Sequence, residues 1–197
     1  LLPQVAMSFV RILYQFWLQQ GISKKVLDDV LRIDINDEKS VRFGISSNRL
    51  SSLHKAANNA SNDCVLAIRL GQYIAENDLE LEKIIRYSEN LYRGLNIMVD
   101  YSQVISESGY FTLLSQDNER YVLKFTAHDG IHVSSQQQDM VFSAILSGIE
   151  KVYPGCNDYI RYHFDERIAG IEDYQTLVQC ALVTDDKVYL EIDSALL

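Results

Sequence analysis

Four histidines, three cysteines and several adjacent acidic pairs are the side chains of this 197-residue sequence whose chemistry and spacing could build a reactive or metal-binding centre. His128 and His132 are the close pair, in His128-Asp129-Gly130-Ile131-His132. An i, i+4 spacing presents two imidazoles to one metal only on a helix, and Gly130, directly after a strand pattern, argues for a solvated loop with metal ligation as the alternative. His54 and His163 stand alone, on a helix edge and within a strand, where structural roles are the expectation. Cys64, Cys156 and Cys180 are far apart and lack C-x-x-C spacing, which fits free thiols in a reducing compartment. A nucleophile needs a convergent base, and no G-x-S-x-G elbow is present. No two glycines are spaced two apart, so neither a dinucleotide loop nor a P-loop has a candidate. Asp28-Asp29, Asp165-Glu166 and Asp185-Asp186 fall at a helix start, a strand end and a turn, where carboxylates are ordinarily solvated or capping.

The elements that would hold these groups are mostly helical at first. Val5, Phe9, Ile12, Leu13, Phe16 and Trp17 recur at helical spacing and Gly21 supplies a left-handed stop. Ser23 is a suitable N-cap for a second helix with Val26, Leu27, Val30 and Leu31 on its apolar face, followed by a polar connection over 34–40. Leu50, Leu53, Ala57 and Ala60 mark a third helix, and Cys64 to Leu70 a short fourth that stops at Gly71. Two consecutive helices are read over Leu81 to Ile105, with Gly94 near their junction. The period then becomes two: Phe111 and Leu113 against Tyr121, Leu123 and Phe125, across Gln116 to Glu119, predict a β-hairpin. A long helix over Gln136 to Val152 carries a broad apolar face and ends before Pro154-Gly155. Ile160, Tyr162 and Phe164 make a strand, Ile171 to Gln179 a short helix, and Val188, Leu190 and Ile192 a last strand. The fold class is α+β, a single domain over 1–197, with a helical N-terminal two-thirds, then the hairpin, the long helix and a small mixed sheet.

Composition narrows the function classes. Hydrophobic residues at 47% and charged residues at 23% are those of a globular domain, and two prolines and nine glycines argue against a disordered chain. A net charge of −9 disfavours direct binding of nucleic acid by these residues. The longest apolar stretches fall short of the ~20 residues of a membrane helix. The opening Leu1-Leu2-Pro3-Gln4 has neither an initiator Met nor the basic start of a signal peptide, the pattern expected of a chain trimmed at its N-terminus.

Several segments resemble the N-terminal effector domain of AraC/XylS-type transcriptional regulators, in the arabinose-binding-like form found in ornithine-utilisation-type regulators. The similarity begins at Phe9-Val10-Arg11-Ile12-Leu13, continues through Gln19-Gln20-Gly21-Ile22-Ser23, and includes Arg69-Leu70-Gly71. It is strongest in Ile160-Arg161-Tyr162-His163-Phe164 and in Tyr174 to Val183, and extends to Lys187 to Ile192 and Ser194-Ala195-Leu196-Leu197. Gln179-Cys180-Ala181 and His163-Phe164 stand where the family has Gly-Cys-Pro and His-Pro.

The resemblance implies a cytoplasmic, bacterial, dimeric sensor without cofactor or catalytic residues. It binds a small-molecule effector, and a pair of helix-turn-helix motifs beyond residue 197 contacts DNA. Tyr14, Trp17, His54, Tyr92 and Arg93 combine aromatic area with hydrogen-bonding groups and are the candidate ligand-binding residues. The long helix and the paired helices before the hairpin are candidates for the switching and dimer surfaces. A small hydrolase or transferase, and a ligand-free oligomerisation module, are the competing readings.

Overall fold

The computed structural model describes residues 4–33, 35, 44–77, 80–105, 108–117 and 119–197. The polar connection expected over 34–40 falls, Ile35 apart, outside the described residues, as does Asn118 of the hairpin turn.

The helical spacing of the first segment becomes α1, Met7–Gln19, with Val10, Leu13, Tyr14, Phe16 and Trp17 buried on one face. Its end is a Schellman turn: Gly21, at φ 81°, donates to the Leu18 carbonyl and Ile22 to that of Trp17. α2, Lys24–Leu31, turns Leu27 and Leu31 inward, and α3, Ser47–Ala60, starts where the Ser46 hydroxyl accepts from the Arg49 N–H. Two short strands not evident from periodicity, β1 (Gln4–Val5) and β2 (Ile45–Ser46), tie the chain start to the α3 entry. Then follow α4 (Leu66–Asn77), α5 (Glu80–Arg86) and α6 (Leu91–Ile105).

The hairpin is β3, Gly109–Ser115, antiparallel to β4, Arg120–Ala127, with Phe111 opposite Phe125. α7, Ser135–Val152, opens with a reciprocal capping box between Ser134 and Gln137. After α7 come β5 (Ile160–Asp165), α8 (Ile171–Gln175), β6 (Ala181–Asp185) and β7 (Tyr189–Asp193). They join the hairpin in one five-stranded sheet of order β3-β4-β7-β5-β6, antiparallel except for the β5–β6 pair that α8 connects. The architecture is α+β, as the patterning predicts. α8 is shorter than the expected Ile171–Gln179: the chain turns after Gln175 and delivers Val178 and Cys180 to the core.

Two hydrophobic cores result. One lies in the N-terminal helices around Leu13, Trp17, Leu27 and Leu53; the other lies under the sheet around Phe142, Tyr162, Phe164 and Leu190. α4 and α7 serve both. Ile68 faces the sheet core while Leu66 and Leu70 face the helical one, and on α7 Phe142, Ile145 and Ile149 face the sheet while Met140 faces the helices.

This double duty explains a departure from the expected helix boundary. Gly71 does not end α4 but sits within it, at the crossing with α7. A Cβ there would lie 1.8 Å from the Ser143 Oγ and 2.2 Å from the Met140 carbonyl oxygen. The missing side chain lets the helix backbones approach, and the Ser143 hydroxyl donates across the gap to the Ile68 carbonyl at 3.1 Å.

A Gly71→Ala substitution must therefore push the two helices apart, although alanine is the better helix former. The expected loss is about 2 kcal/mol or more in urea unfolding, against roughly 1 kcal/mol for Gly21→Ala, whose Cβ meets only open space and backbone strain. Equal losses at the two sites would remove the packing role from Gly71.

Candidate functional site

A concave cavity of about 480 Å³ opens where the two cores meet. That volume is in the range of small-molecule sites, roughly 300–1,000 Å³. α7 forms one wall through Gln137, Gln138, Met140, Val141, Ala144 and Ile145. Phe9 of α1, Leu50 of α3 and Ile74 of α4 close the helical side. Met98, Tyr101 and Ser102 of α6, with Phe111 of β3 and Phe125 of β4, close the sheet side. Each apolar side chain here lies on a face that the helical or strand period points inward, so the lining follows from the same patterning as the core.

The polar groups in this wall are few, and most are occupied. The Ser102 hydroxyl donates to the Val99 carbonyl at 2.7 Å and accepts from the Phe111 N–H at 3.1 Å. Ser108 donates to Ser47 at 3.0 Å. The Gln137 carboxamide donates to the Ser51 hydroxyl and accepts from the Ser134 N–H.

None of the five predicted ligand residues lines this cavity. Three lie together in the helical core. Trp17 meets His54 edge-on, with ring centroids 5.0 Å apart. One turn before Trp17, Tyr14 donates from its hydroxyl to Asp28 at 2.6 Å. The other two are on the opposite half of the molecule, where Tyr92 is 42% exposed and packs against Tyr121, and Arg93 is exposed beside it on α6. Among the residues that do line the cavity, Phe9, Met140 and Val141 were legible as apolar helix positions; the unusual breadth of the α7 face was the one sign of a second role.

The remaining reactive groups sort by environment. His128 and His132 flank a turn in which Gly130 adopts φ 77°, so the helical i, i+4 relation does not arise. Burial pushes the thiols of Cys156 and Cys180 up to about 11 and about 12, and raises Cys64 as well, an effect that nearby Asp173 reinforces. All three are thus held as protonated thiols at neutral pH, which makes them poor nucleophiles. His163 is enclosed on the outer sheet face, stacked on Tyr189 at 3.9 Å and flanked by Asp185 and Glu191 at 3.5 Å.

The most deeply set carboxyl is Asp139, on α7 beside the cavity-lining Gln138 and Met140 and only 1% exposed. The Tyr162 and Tyr174 hydroxyls donate to its two oxygens at 3.0 and 2.7 Å. Burial raises its pKa from 3.8 to about 7, against the opposing pull of these hydrogen bonds and with a smaller push from Asp165. His54 moves the other way, to about 4, through burial alone.

These shifts set opposing slopes in stability. His54 stays neutral in the fold, so its contribution is present above its ordinary pKa of 6.5 and is lost as pH falls toward 4. Asp139 stays protonated in the fold, so its contribution is full below about 4 and is lost as pH rises through 7. An Asp139→Asn variant should accordingly gain on the order of 2 kcal/mol relative to the parent protein between pH 5 and pH 8. Urea midpoints at the two pH values measure this, and a pH-independent difference would refute it.

No protein-family model matches the sequence, and no curated protein matches it. Among solved structures, the fold is similar to the crystal structure of the transcriptional regulator CdpR from Pseudomonas aeruginosa, with a TM-score of 0.65 at 11% identity. The likeness covers 98% of this chain and 57% of that one, so the chain spans little more than half of the regulator's length. The fold of this chain is thus shared with part of a transcriptional regulator.

Proposed function

We propose that these residues form the effector-sensing and dimerising part of a cytoplasmic bacterial transcription regulator of the AraC/XylS type. DNA contact is assigned to helix-turn-helix motifs beyond residue 197. The observation that carries the reading is the cavity at the seam of the two cores, in a chain that shares its fold with part of a regulator. A ligand there touches elements of both halves and the helix common to them, so it can favour one arrangement of the halves over another. Regulation by an effector requires such differential binding. A ligand-free oligomerisation module would have filled the same space with side chains.

Charge is consistent with this division of labour: a protein surface at −9 repels the phosphate backbone, and sensing is separated from DNA contact. α7 has a single exposed residue, Lys151, so the dimer contact is assigned to the outer surface of α5, α6 and the turn between them, where Tyr87 is 84% exposed and Ile97 of α6 is also exposed.

Sedimentation equilibrium tests the dimer. The expected mass is twice 22.6 kDa, returning to 22.6 kDa in Tyr87→Glu or Ile97→Glu at an unchanged thermal midpoint. A monomeric parent protein, or a downstream sequence without helix-turn-helix motifs, would contradict the proposal.

A further inference from the structure

We infer that the cavity between the two cores takes an uncharged, mostly apolar small molecule with a single hydrogen-bonding end, which excludes amino acids and sugars as its occupants. The inference rests on the effector reading of this cavity and adds the chemical class.

Three observations carry it. First, none of the described residues that line the cavity is charged at neutral pH. An ammonium or carboxylate ligand entering an apolar site with no counter-charge loses hydration without compensation. Second, the wall hydroxyls of Ser102 and Ser108 and the carboxamide of Gln137 already bond to other protein groups. The remaining lone pairs and the second Gln137 N–H are too few to pair the several hydroxyls of a polyhydroxylated ligand, and those left unpaired in an apolar site are penalised. Third, the polar side chains of the lining without a hydrogen bond among the described residues are Gln138 and Tyr101. Tyr101 is 54% exposed and marks the mouth. The carboxamide or the phenol can meet one amide, carbonyl or alcohol group, while the ligand's hydrocarbon body packs against Phe9, Met98, Phe111 and Met140. An apolar void of this kind is poorly hydrated, and an apolar occupant supplies the dispersion contacts that water does not.

The test compares compounds of one chain length and different head groups by thermal shift and calorimetry: octanamide and 1-octanol against octanoate and octylammonium, with ornithine and arabinose as hydrophilic probes. The neutral pair should raise the thermal midpoint by about 2 °C or more in the millimolar range, and the other four compounds should bind at least tenfold more weakly. Val141→Phe, which fills the cavity, should abolish the shift. Gln138→Leu should weaken octanamide about tenfold, the equivalent of one hydrogen bond, and also serves if the filled variant fails to fold.

Binding of charged or hydrophilic probes as tight as that of the neutral pair, lost in Val141→Phe, would overturn the chemical class and leave the effector reading standing. Absence of binding by all six would overturn both. Unchanged octanamide affinity in Gln138→Leu would remove the assigned polar end.

Discussion

The close crossing of α4 and α7 is the constraint from which the rest of the molecule follows. At Gly71 the two backbones approach to a distance that admits no Cβ, and the Ser143 hydroxyl spans the gap to the Ile68 carbonyl. Packing this tight makes the pair one rigid unit with two apolar sides. The helices of the first third assemble on one side and the five-stranded sheet on the other. Neither core is complete without this shared pair, and through it the two hydrophobic clusters are joined.

The same arrangement explains where space is left. Side chains from two cores meet α7 from different directions, and away from the Gly71 crossing the halves diverge. The gap between α1, α3 and the β3–β4 hairpin is the cavity. Its apolar character needs no separate origin, since most of the wall is the inward face of amphipathic helices and strands. Asp139, on the flank of α7 turned to β5 and α8, adds a hydrogen-bonded anchor that fixes the rotation of the helix and so fixes which residues reach the cavity.

Local order was readable from the sequence where it depended on periodicity and end signals. α1, α2, α6, the hairpin and α7 follow from apolar spacing and from Gly21, Ser23 and Pro154-Gly155, because these effects act within a few residues. What the sequence concealed is long-range. A glycine reads equally as a helix stop or as a contact, and only the arrival of Ser143, 72 positions later, decides for the contact at Gly71. Trp17 and His54, two of the candidate ligand residues, pack against each other in the helical core instead of opening onto the cavity. Tyr92 and Arg93 had the right chemistry for a ligand and a position at the surface. The cavity itself is a property of how faces fail to meet, and no single residue type announces that.

The near-total enclosure of α7 has a bearing on how such a protein changes over generations. An ordinary surface helix keeps one face on which substitutions are almost neutral, so it can drift while its buried stripe persists. α7 has Lys151 and little else in that category. Most of its residues pack on the sheet, on α3, α4 or α5, or line the cavity, so variation that retunes the cavity must enter as exchanges of similar volume. Along the exposed arc of α3, by contrast, which carries Asn48, Arg49, Ser52, Lys55 and Asn59, sequence is free to wander, and the two helices should age at very different rates.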